Sequence, residues 1–222
     1  MLIDFHTHIN KYSDSDIFSV RSYSVSETID LKTKDYSVGW HPWHLLDLDK
    51  ETAFDILEKQ VQCDEAIMVG ECGLDKIVDI PFDLQKEVFE YQIKLSEKYS
   101  KPLVLHCVRS FSELIEMKKH FKPKQQWVVH GFSNNINIAQ MLVKERIMLS
   151  FGKNVLTENS NAQKILSQIG DMPFFLETDD TDLHIKDIYG KVLEITNYGF
   201  EDLSDKITKS LEQIIHQKIS HL

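Results

Sequence analysis

The sequence predicts an α/β fold, a single (β/α)8 TIM barrel, on three observations. Eight short apolar, β-branched segments recur along the chain, helical patterns separate most of them, and no strong break interrupts the alternation. Near-continuous apolar runs of this length are typical of parallel strands buried on both faces. Because helical crossovers join parallel strands, eight such repeats favour a barrel. A doubly wound open sheet is the structural alternative.

The apolar segments define eight predicted strands. They cover residues 2–6, 17–20, 36–41, 66–71, 103–106, 127–130, 147–151 and 174–179. The connections between the first three are too short for full helices, at residues 8–17 and 24–35. We therefore expect a barrel that is trimmed after strands one and two.

The predicted helices fill the longer connections. Apolar residues at helical spacing predict helices over residues 49–62, 82–99 and 111–120. A fourth helix is predicted to begin at Asn135, and a fifth to begin at Asn159 or Ser160 and end at Gly170. The last predicted helix has Leu203, Ile207, Leu211 and Ile215 on one face. Ser110 is the predicted N-cap of the third helix, and Glu113 completes a capping box.

Composition narrows the class of protein. The 222 residues are 42% apolar and 27% charged, as in globular proteins, and one domain over residues 1–222 suits a barrel of ~200–250 residues. The net charge of −10 argues against a basic surface that grips duplex DNA, but allows a nucleic acid that meets only a small metal-filled pocket. We find no apolar run of ~18 residues, no secretory signal and no CxxC pair, and therefore expect a cytoplasmic protein with reduced thiols and no membrane contact.

Residues that can bind metal ions stand at the ends of five predicted strands. They are His6 and His8, Glu71, His106, His130 and Asp179. The carboxyl ends of parallel barrel strands open on one face, so these side chains are expected to converge. Each alone has an ordinary interpretation as a loop residue, a core histidine or a solvated acid. Together they predict a site for Zn²⁺, Mn²⁺, Fe²⁺ or Co²⁺.

The number of ligands favours two ions. One ion would take His6, His8, Glu71 and Asp179, and the other would take Glu71, His106 and His130, with Glu71 as the bridge. Paired ions suit the displacement of one oxygen by another, because they stabilise the attacking and the leaving oxygen. We expect Asp179 to accept the proton of the attacking water and to protonate the leaving group.

The chain resembles the TatD family of metal-dependent nucleases, within the amidohydrolase-like barrel group. The matching segments are DFHTH at residues 4–8, GWHP at 39–42, GECGLD at 70–75, LH at 105–106, VHGFS at 129–133 and LETD at 176–179. The resemblance implies that His6, His8, Glu71, His106, His130 and Asp179 hold two divalent ions (Zn, Mg, Mn or Co). It also implies a deoxyribonuclease, an ester-bond hydrolase that binds DNA or a nucleotide at a small pocket. The sequence gives no sign of an obligate protein partner, and we expect a monomer.

Departures from the family pattern concern the substrate pocket. The usual HCFSG segment reads HGFSN at residues 130–134, Arg109 lies one residue later than is common, and the segment after Asp179 is short and acidic. His41 and Arg109 are the candidate substrate contacts. Trp40 and Trp43 either stack on a base or pack at the rim of the barrel.

Three further expectations complete the sequence interpretation. Asp75 is a candidate to orient a metal ligand, and Cys72 and Cys107 are expected to be buried fillers rather than nucleophiles. One alternative function is metal-dependent hydrolysis of another ester or an amide, such as an aminoacyl bond, which the same ligands would serve. A second is a non-catalytic barrel that binds metal or a nucleotide; the complete ligand set argues against it.

Overall fold

A computed structural model describes residues 1–9, 16–30 and 32–219 of the chain. The strands found there are β1 (Leu2–Thr7), β2 (Ile17–Ser24), β3 (Tyr36–Gly39), β4 (Ala66–Asp75), β5 (Leu103–Val108), β6 (Trp127–Val129), β7 (Ile147–Phe151) and β8 (Phe174–Leu176). The α-helices are α1 (Lys50–Gln62), α2 (Phe82–Tyr99), α3 (Phe111–Phe121), α4 (Ile136–Lys144), α5 (Asn161–Leu166), α6 (Ile185–Ile195) and α7 (Phe200–Ile215). Two compact units result, Met1–Arg21 with His130–Leu222, and Ser22–Val129. A single domain over residues 1–222 stays a prediction.

Strand β1 is the centre of the first unit. It pairs in parallel with β2 on one side and lies beside β8 on the other, and β8 pairs in parallel with β7. The rings of Phe5 and Phe175 stack with centroids 4.2 Å apart. The Tyr189 hydroxyl of α6 accepts a hydrogen bond from the amide of Ile3 and donates one to its carbonyl. Each buried aromatic ring contributes about 1.5–3 kcal/mol, so β1 is held firmly in place.

Strand β4 is the centre of the second unit. It pairs in parallel with β3 and β5, β5 pairs with β6, and all ten residues of β4 are buried. Helix α2 packs against the sheet with a buried glutamine, Gln92, whose side chain binds the amide and the carbonyl of Trp40 at 2.8 and 3.0 Å. These bonds satisfy the polar backbone just beyond β3, which would otherwise be buried without partners.

Several sequence predictions are confirmed. Helix α2 has the predicted bounds, and the side chains of Asn135 and Ser160 cap α4 and α5 by accepting hydrogen bonds from backbone amides. The described part of residues 25–35 contains no helix, as expected for a trimmed connection. The short connection predicted after strand one falls mainly on residues 10–15, outside the described residues. Among the helices of the described ranges, none has the length and apolarity to cross a bilayer.

Three local predictions are wrong. Ser110 is the N-cap residue of α3, as predicted, but the side-chain capping bond is absent: its hydroxyl donates to the carbonyls of Leu74 and Val108, because the side chain is buried against β4. Helix α5 ends at Leu166, before Gly170. Strands three, six and eight are shorter than predicted, so residues 40–41, His130 and residues 177–179 lie just beyond them.

Candidate metal centre

A backbone ladder between β1 and the segment after β8 positions the first group of predicted ligands. The amide of Asp179 donates to the carbonyl of His6 at 2.9 Å, and the amide of His8 donates to the carbonyl of Asp179 at 3.1 Å. Because side chains alternate along an extended strand, His6 and His8 lie on the same side. Asp179 adopts φ +53°, a left-handed conformation that aspartate and asparagine tolerate better than most residues. The ladder therefore fixes two imidazoles and one carboxylate in register.

The first cluster consists of His6, His8, His130 and Asp179. Asp179 Oδ1 lies 3.7 Å from His6 Nε2 and 3.6 Å from His8 Nε2, and the His6 and His130 rings are 4.4 Å apart. Ligand atoms of His6, His130 and Asp179 lie within 4.8 Å of one another, close enough for one ion. The His6 side chain is fully buried, whereas that of His8 is 39% exposed. The cluster is therefore open to solvent on the side of His8.

A buried carboxylate that the sequence analysis did not single out, Glu177, supports His130. Its Oε1 accepts hydrogen bonds from His130 Nδ1 at 3.2 Å and from the Gly131 amide at 2.7 Å, and its Oε2 accepts from the Ser150 hydroxyl. Burial works to raise the pKa of Glu177, but the neighbouring His130 and His6 rings and the Ser150 hydroxyl outweigh burial and lower it. A carboxylate on Nδ1 leaves Nε2 of His130 for a metal ion and fixes the ring.

Asp4 is a second buried acid that the sequence analysis missed. Its two oxygens accept hydrogen bonds from the amide and the hydroxyl of Thr178, at 2.9 and 2.6 Å, and so hold the residue before Asp179. The signal that could have identified it is the period of two: Asp4 shares a strand face with His6 and His8, and Glu177 stands two residues before Asp179. Acids on the face of the ligands, inside apolar runs, are candidates to orient them.

The second cluster consists of His41, Glu71 and His106. Glu71 Oε1 lies 2.9 Å from His41 Nε2 and 3.0 Å from His106 Nδ1, and ligand atoms of all three lie within 4.8 Å of one another. The three side chains are 8–14% exposed. His41 Nδ1 accepts a hydrogen bond from the Trp43 amide at 3.2 Å, so Nε2 is the nitrogen that faces Glu71. His41, predicted as a substrate contact, is therefore a direct neighbour of a predicted ligand.

Asp75 contacts the second cluster through His106, one of the predicted ligands. Its Oδ2 lies 2.9 Å from His106 Nε2 and accepts the indole N–H of Trp43 at 2.7 Å. Burial works to raise the pKa of Asp75, but these two hydrogen bonds and the amide of Ile77 lower it below its usual value. With Nε2 of His106 directed to Asp75, Nδ1 is the nitrogen that faces Glu71.

Glycine at position 73 makes this arrangement possible. A Cβ at Gly73 would lie 2.1 Å from the His106 carbonyl oxygen, and φ is +137°. Glycine alone tolerates both the conformation and the approach, so β4 can lie directly against the strand that carries His106. This close contact gives the GECGLD segment a physical role beyond its acidic residues.

The other candidate residues differ in their exposure to solvent. Trp40 is buried in the core, whereas Trp43 is 53% exposed. Arg109 is exposed, with φ +51°, one residue after β5, and no hydrogen bond or ion pair joins its side chain to another described residue. Burial raises the pKa of Cys107 to about 12 and that of Cys72 well above its usual value, which favours the protonated, weakly nucleophilic thiol at both positions. Cys72 is buried as predicted, whereas Cys107 is only partly buried.

The donor set fits divalent transition-metal ions. Imidazole nitrogens and carboxylate oxygens are the ligands that Zn²⁺, Mn²⁺ and Co²⁺ accept, and one histidine in each cluster is oriented by a buried carboxylate, as in known metal sites. No cysteine is needed as a ligand. The arrangement is therefore suited to Lewis-acid hydrolysis rather than to a structural thiolate site.

Comparison with known proteins supports this interpretation. The family model of TatD-related DNases matches residues 3–216. The metal-dependent hydrolase YabD of Bacillus subtilis (strain 168), whose name marks it as uncharacterised, is 23% identical over 96% of this chain and 98% of its own length. The 3′–5′ RNA nuclease TATDN2 of Homo sapiens is 32% identical over 64% of this chain, but that match covers only 19% of the human protein.

Solved structures establish the fold. The crystal structure of YJJV, a TatD homologue from Escherichia coli K12, matches with a TM-score of 0.81 at 18% identity, over 96% of this chain and 97% of its own. A TatD family hydrolase from Entamoeba histolytica matches with a TM-score of 0.75 at 16% identity. The predicted (β/α)8 barrel is thereby confirmed. Because the family model covers nearly the whole sequence, the chain belongs to the TatD family of metal-dependent hydrolases.

Proposed function

We propose that the chain is a deoxyribonuclease that hydrolyses phosphodiester bonds with two divalent metal ions. The observation that carries the proposal is the pair of histidine–carboxylate clusters, each with a histidine oriented by a buried acid, Glu177 or Asp75. The family description as TatD-related DNases supports the choice of substrate. The proposed ligands are the six predicted from the sequence: His6, His8, Glu71, His106, His130 and Asp179.

The proposed roles follow from the chemistry of the side chains. Divalent ions, when bound, neutralise phosphate charge and lower the pKa of water. The carboxylate of Asp179, whose side chain is 27% exposed, takes the proton of the attacking water and returns it to the leaving oxygen. Glu177 and Asp75 keep His130 and His106 in one tautomer. Asp4 keeps Thr178, and through it the backbone of Asp179, in place.

The test is hydrolysis of end-labelled single-stranded DNA by protein stripped of metal. Mg²⁺, Mn²⁺, Co²⁺ and Zn²⁺ are added back one at a time, and RNA of the same sequence is tested in parallel. Asp179→Asn is compared with Asp180→Asn, a matched control, since Asp180 is an exposed neighbour paired with Lys153 at 3.4 Å. Asparagine tolerates the left-handed conformation at position 179, so the variant is expected to fold.

The expected result is metal-dependent shortening of labelled DNA that is lost in Asp179→Asn and kept in Asp180→Asn. Cleavage of RNA but not DNA would keep the phosphodiesterase chemistry and overturn the choice of DNA. If the protein binds two ions and cuts neither nucleic acid, the nuclease proposal is wrong, and ester and amide substrates are tested next. If no divalent ion binds, the proposed ligand set is wrong as well.

A further inference from the structure

The indole of Trp43 is both exposed and fixed, which is unusual for a surface tryptophan. The side chain is 53% exposed, yet its N–H donates to Oδ2 of Asp75 at 2.7 Å, and Asp75 is only 2% exposed. The ring also meets the imidazoles of His41 and His106 edge to face, with centroids 5.0 and 5.6 Å away and interplanar angles of 89° and 78°. A ring held in this way loses little conformational entropy when a ligand binds to it.

Other exposed apolar side chains lie on the same two connections. The described residues include six large hydrophobic side chains that are exposed: Trp43, Leu46, Ile77, Ile136, Met141 and Phe200. Three of the six follow β3 or β4. The amide of Ile77 donates to Oδ1 of Asp75 at 2.8 Å, so one carboxylate positions both Trp43 and the chain at Ile77. Core packing does not explain this exposure, whereas a ligand with an apolar face would.

The ligand must combine a flat apolar face with an anionic group. The apolar face would cover Trp43, and the anionic group would reach the neighbouring cluster of His41, Glu71 and His106, which could hold a divalent ion that would supply positive charge. A nucleotide has both parts. Because the chain carries a net charge of −10, long-range attraction contributes little to the binding of a polyanion, and affinity must come from local contacts such as stacking.

We propose that Trp43 is a stacking platform for the base of the nucleotide whose phosphate reaches the cluster of His41, Glu71 and His106. This inference rests on the proposed nuclease function and deepens it by naming a residue that binds substrate. The platform recognises any base, because every base offers a π face. Asp75 joins the platform to the second cluster, since the same oxygen binds Trp43 and His106.

The kinetic test uses Trp43→Ala, Trp43→Phe and the matched control Phe200→Ala, which removes another aromatic ring that is 53% exposed, at the start of α7. Substrates are a short DNA strand and versions with one abasic tetrahydrofuran residue at successive positions. Stacking is worth ~1–3 kcal/mol per base, so Trp43→Ala should lower kcat/KM on intact DNA by ~5–150-fold. Trp43→Phe should keep most of the activity, and Phe200→Ala should match wild type.

The abasic substrates locate the contact. At one position, loss of the base should lower wild-type kcat/KM to the level of Trp43→Ala, and the variant should lose nothing further there. Metal content is measured in every variant, so that an effect through Asp75 and His106 is separated from lost stacking. If Trp43→Ala cuts intact DNA like wild type, or loses equal activity on every abasic substrate, the proposal is overturned.

A second measurement does not depend on catalysis. Adenosine 5′-monophosphate should quench tryptophan fluorescence in the metal-loaded wild type, ribose 5-phosphate should not, and Trp43→Phe should abolish the quenching. Quenching without cleavage of any nucleic acid would leave the platform standing and overturn the nuclease proposal. Cleavage without quenching, and with full activity in Trp43→Ala, would overturn the stacking platform and leave the nuclease proposal standing.

Discussion

Substitution of Glu177 separates its two effects, on stability and on metal binding. Its carboxylate is the acceptor for three donors: the buried Ser150 hydroxyl and the partly buried His130 Nδ1 and Gly131 amide. In Glu177→Ala each donor loses its partner at about 1–3 kcal/mol, or about 3–9 kcal/mol together. Since a whole domain is stable by only about 5–15 kcal/mol, we expect this variant to unfold or nearly so.

Glu177→Gln is the informative variant, because it keeps the volume and an acceptor oxygen. The amide oxygen still accepts from His130 and Gly131, and the Ser150 hydroxyl rotates to accept from the new NH2 group. We expect urea denaturation to show a loss of less than about 2 kcal/mol. The charge on the far side of His130 is gone, however, and metal affinity should fall about 10–100-fold.

Cobalt titration, followed by the visible absorption of the bound ion, measures that loss. Glu194→Gln is the matched control, since Glu194 is a 66%-exposed residue of α6 paired with Lys191. Wild-type cobalt affinity in Glu177→Gln would refute the orienting role of Glu177. A stable Glu177→Ala protein would refute the free energy of unfolding that we assign to these three hydrogen bonds.

Three further outcomes follow from the same contacts. Gly73→Ala should cost about 1–3 kcal/mol in thermal denaturation, because its Cβ would meet the His106 carbonyl at a positive φ. Gly190→Ala, in open space on a helix, should be neutral or stabilising, and equal melting temperatures would contradict the close approach. Ser110→Ala should lose about 1 kcal/mol and Ser110→Asp more, since the side chain binds the Leu74 carbonyl; retained stability in Ser110→Asp would restore the N-cap role. Removal of metal with a chelator should abolish hydrolysis while the circular dichroism of the barrel persists, and activity that survives exhaustive chelation would exclude metal dependence.

The starts of helices were predictable where the capping residue and its partner lie close together in the sequence. Asn135 and Ser160 open helices as their residue types suggest, because a capping bond spans only a few residues. Ser110 carries the same local signal and fails, because a carbonyl of β4, distant in sequence, competes for its hydroxyl. Gly170 is not the end of α5, since the helix ends four residues earlier, at Leu166.

The candidate ligands were predictable for a similar reason. A strand that ends in histidine or an acid can be recognised from a single stretch of sequence, as at His106. The hydrogen bonds that orient these candidate ligands were not predictable in the same way, because they join segments that are distant in sequence. Glu177 binds His130, and Asp4 binds Thr178. That Trp40 is buried while Trp43 is exposed also depends on tertiary packing: Gln92 binds the backbone of Trp40, and Asp75 binds the exposed indole of Trp43.

The left-handed backbone at Asp179 has a consequence for the evolution of this chain. A change from aspartate to asparagine needs one nucleotide, and the new residue suits φ +53° as well as the old one. Most other replacements at that position would strain the turn by about 1–3 kcal/mol. Selection against unfolding therefore does little to prevent a change to asparagine, which removes the proposed proton carrier. A duplicated copy could lose its chemistry in a single mutation and persist as a folded binding protein.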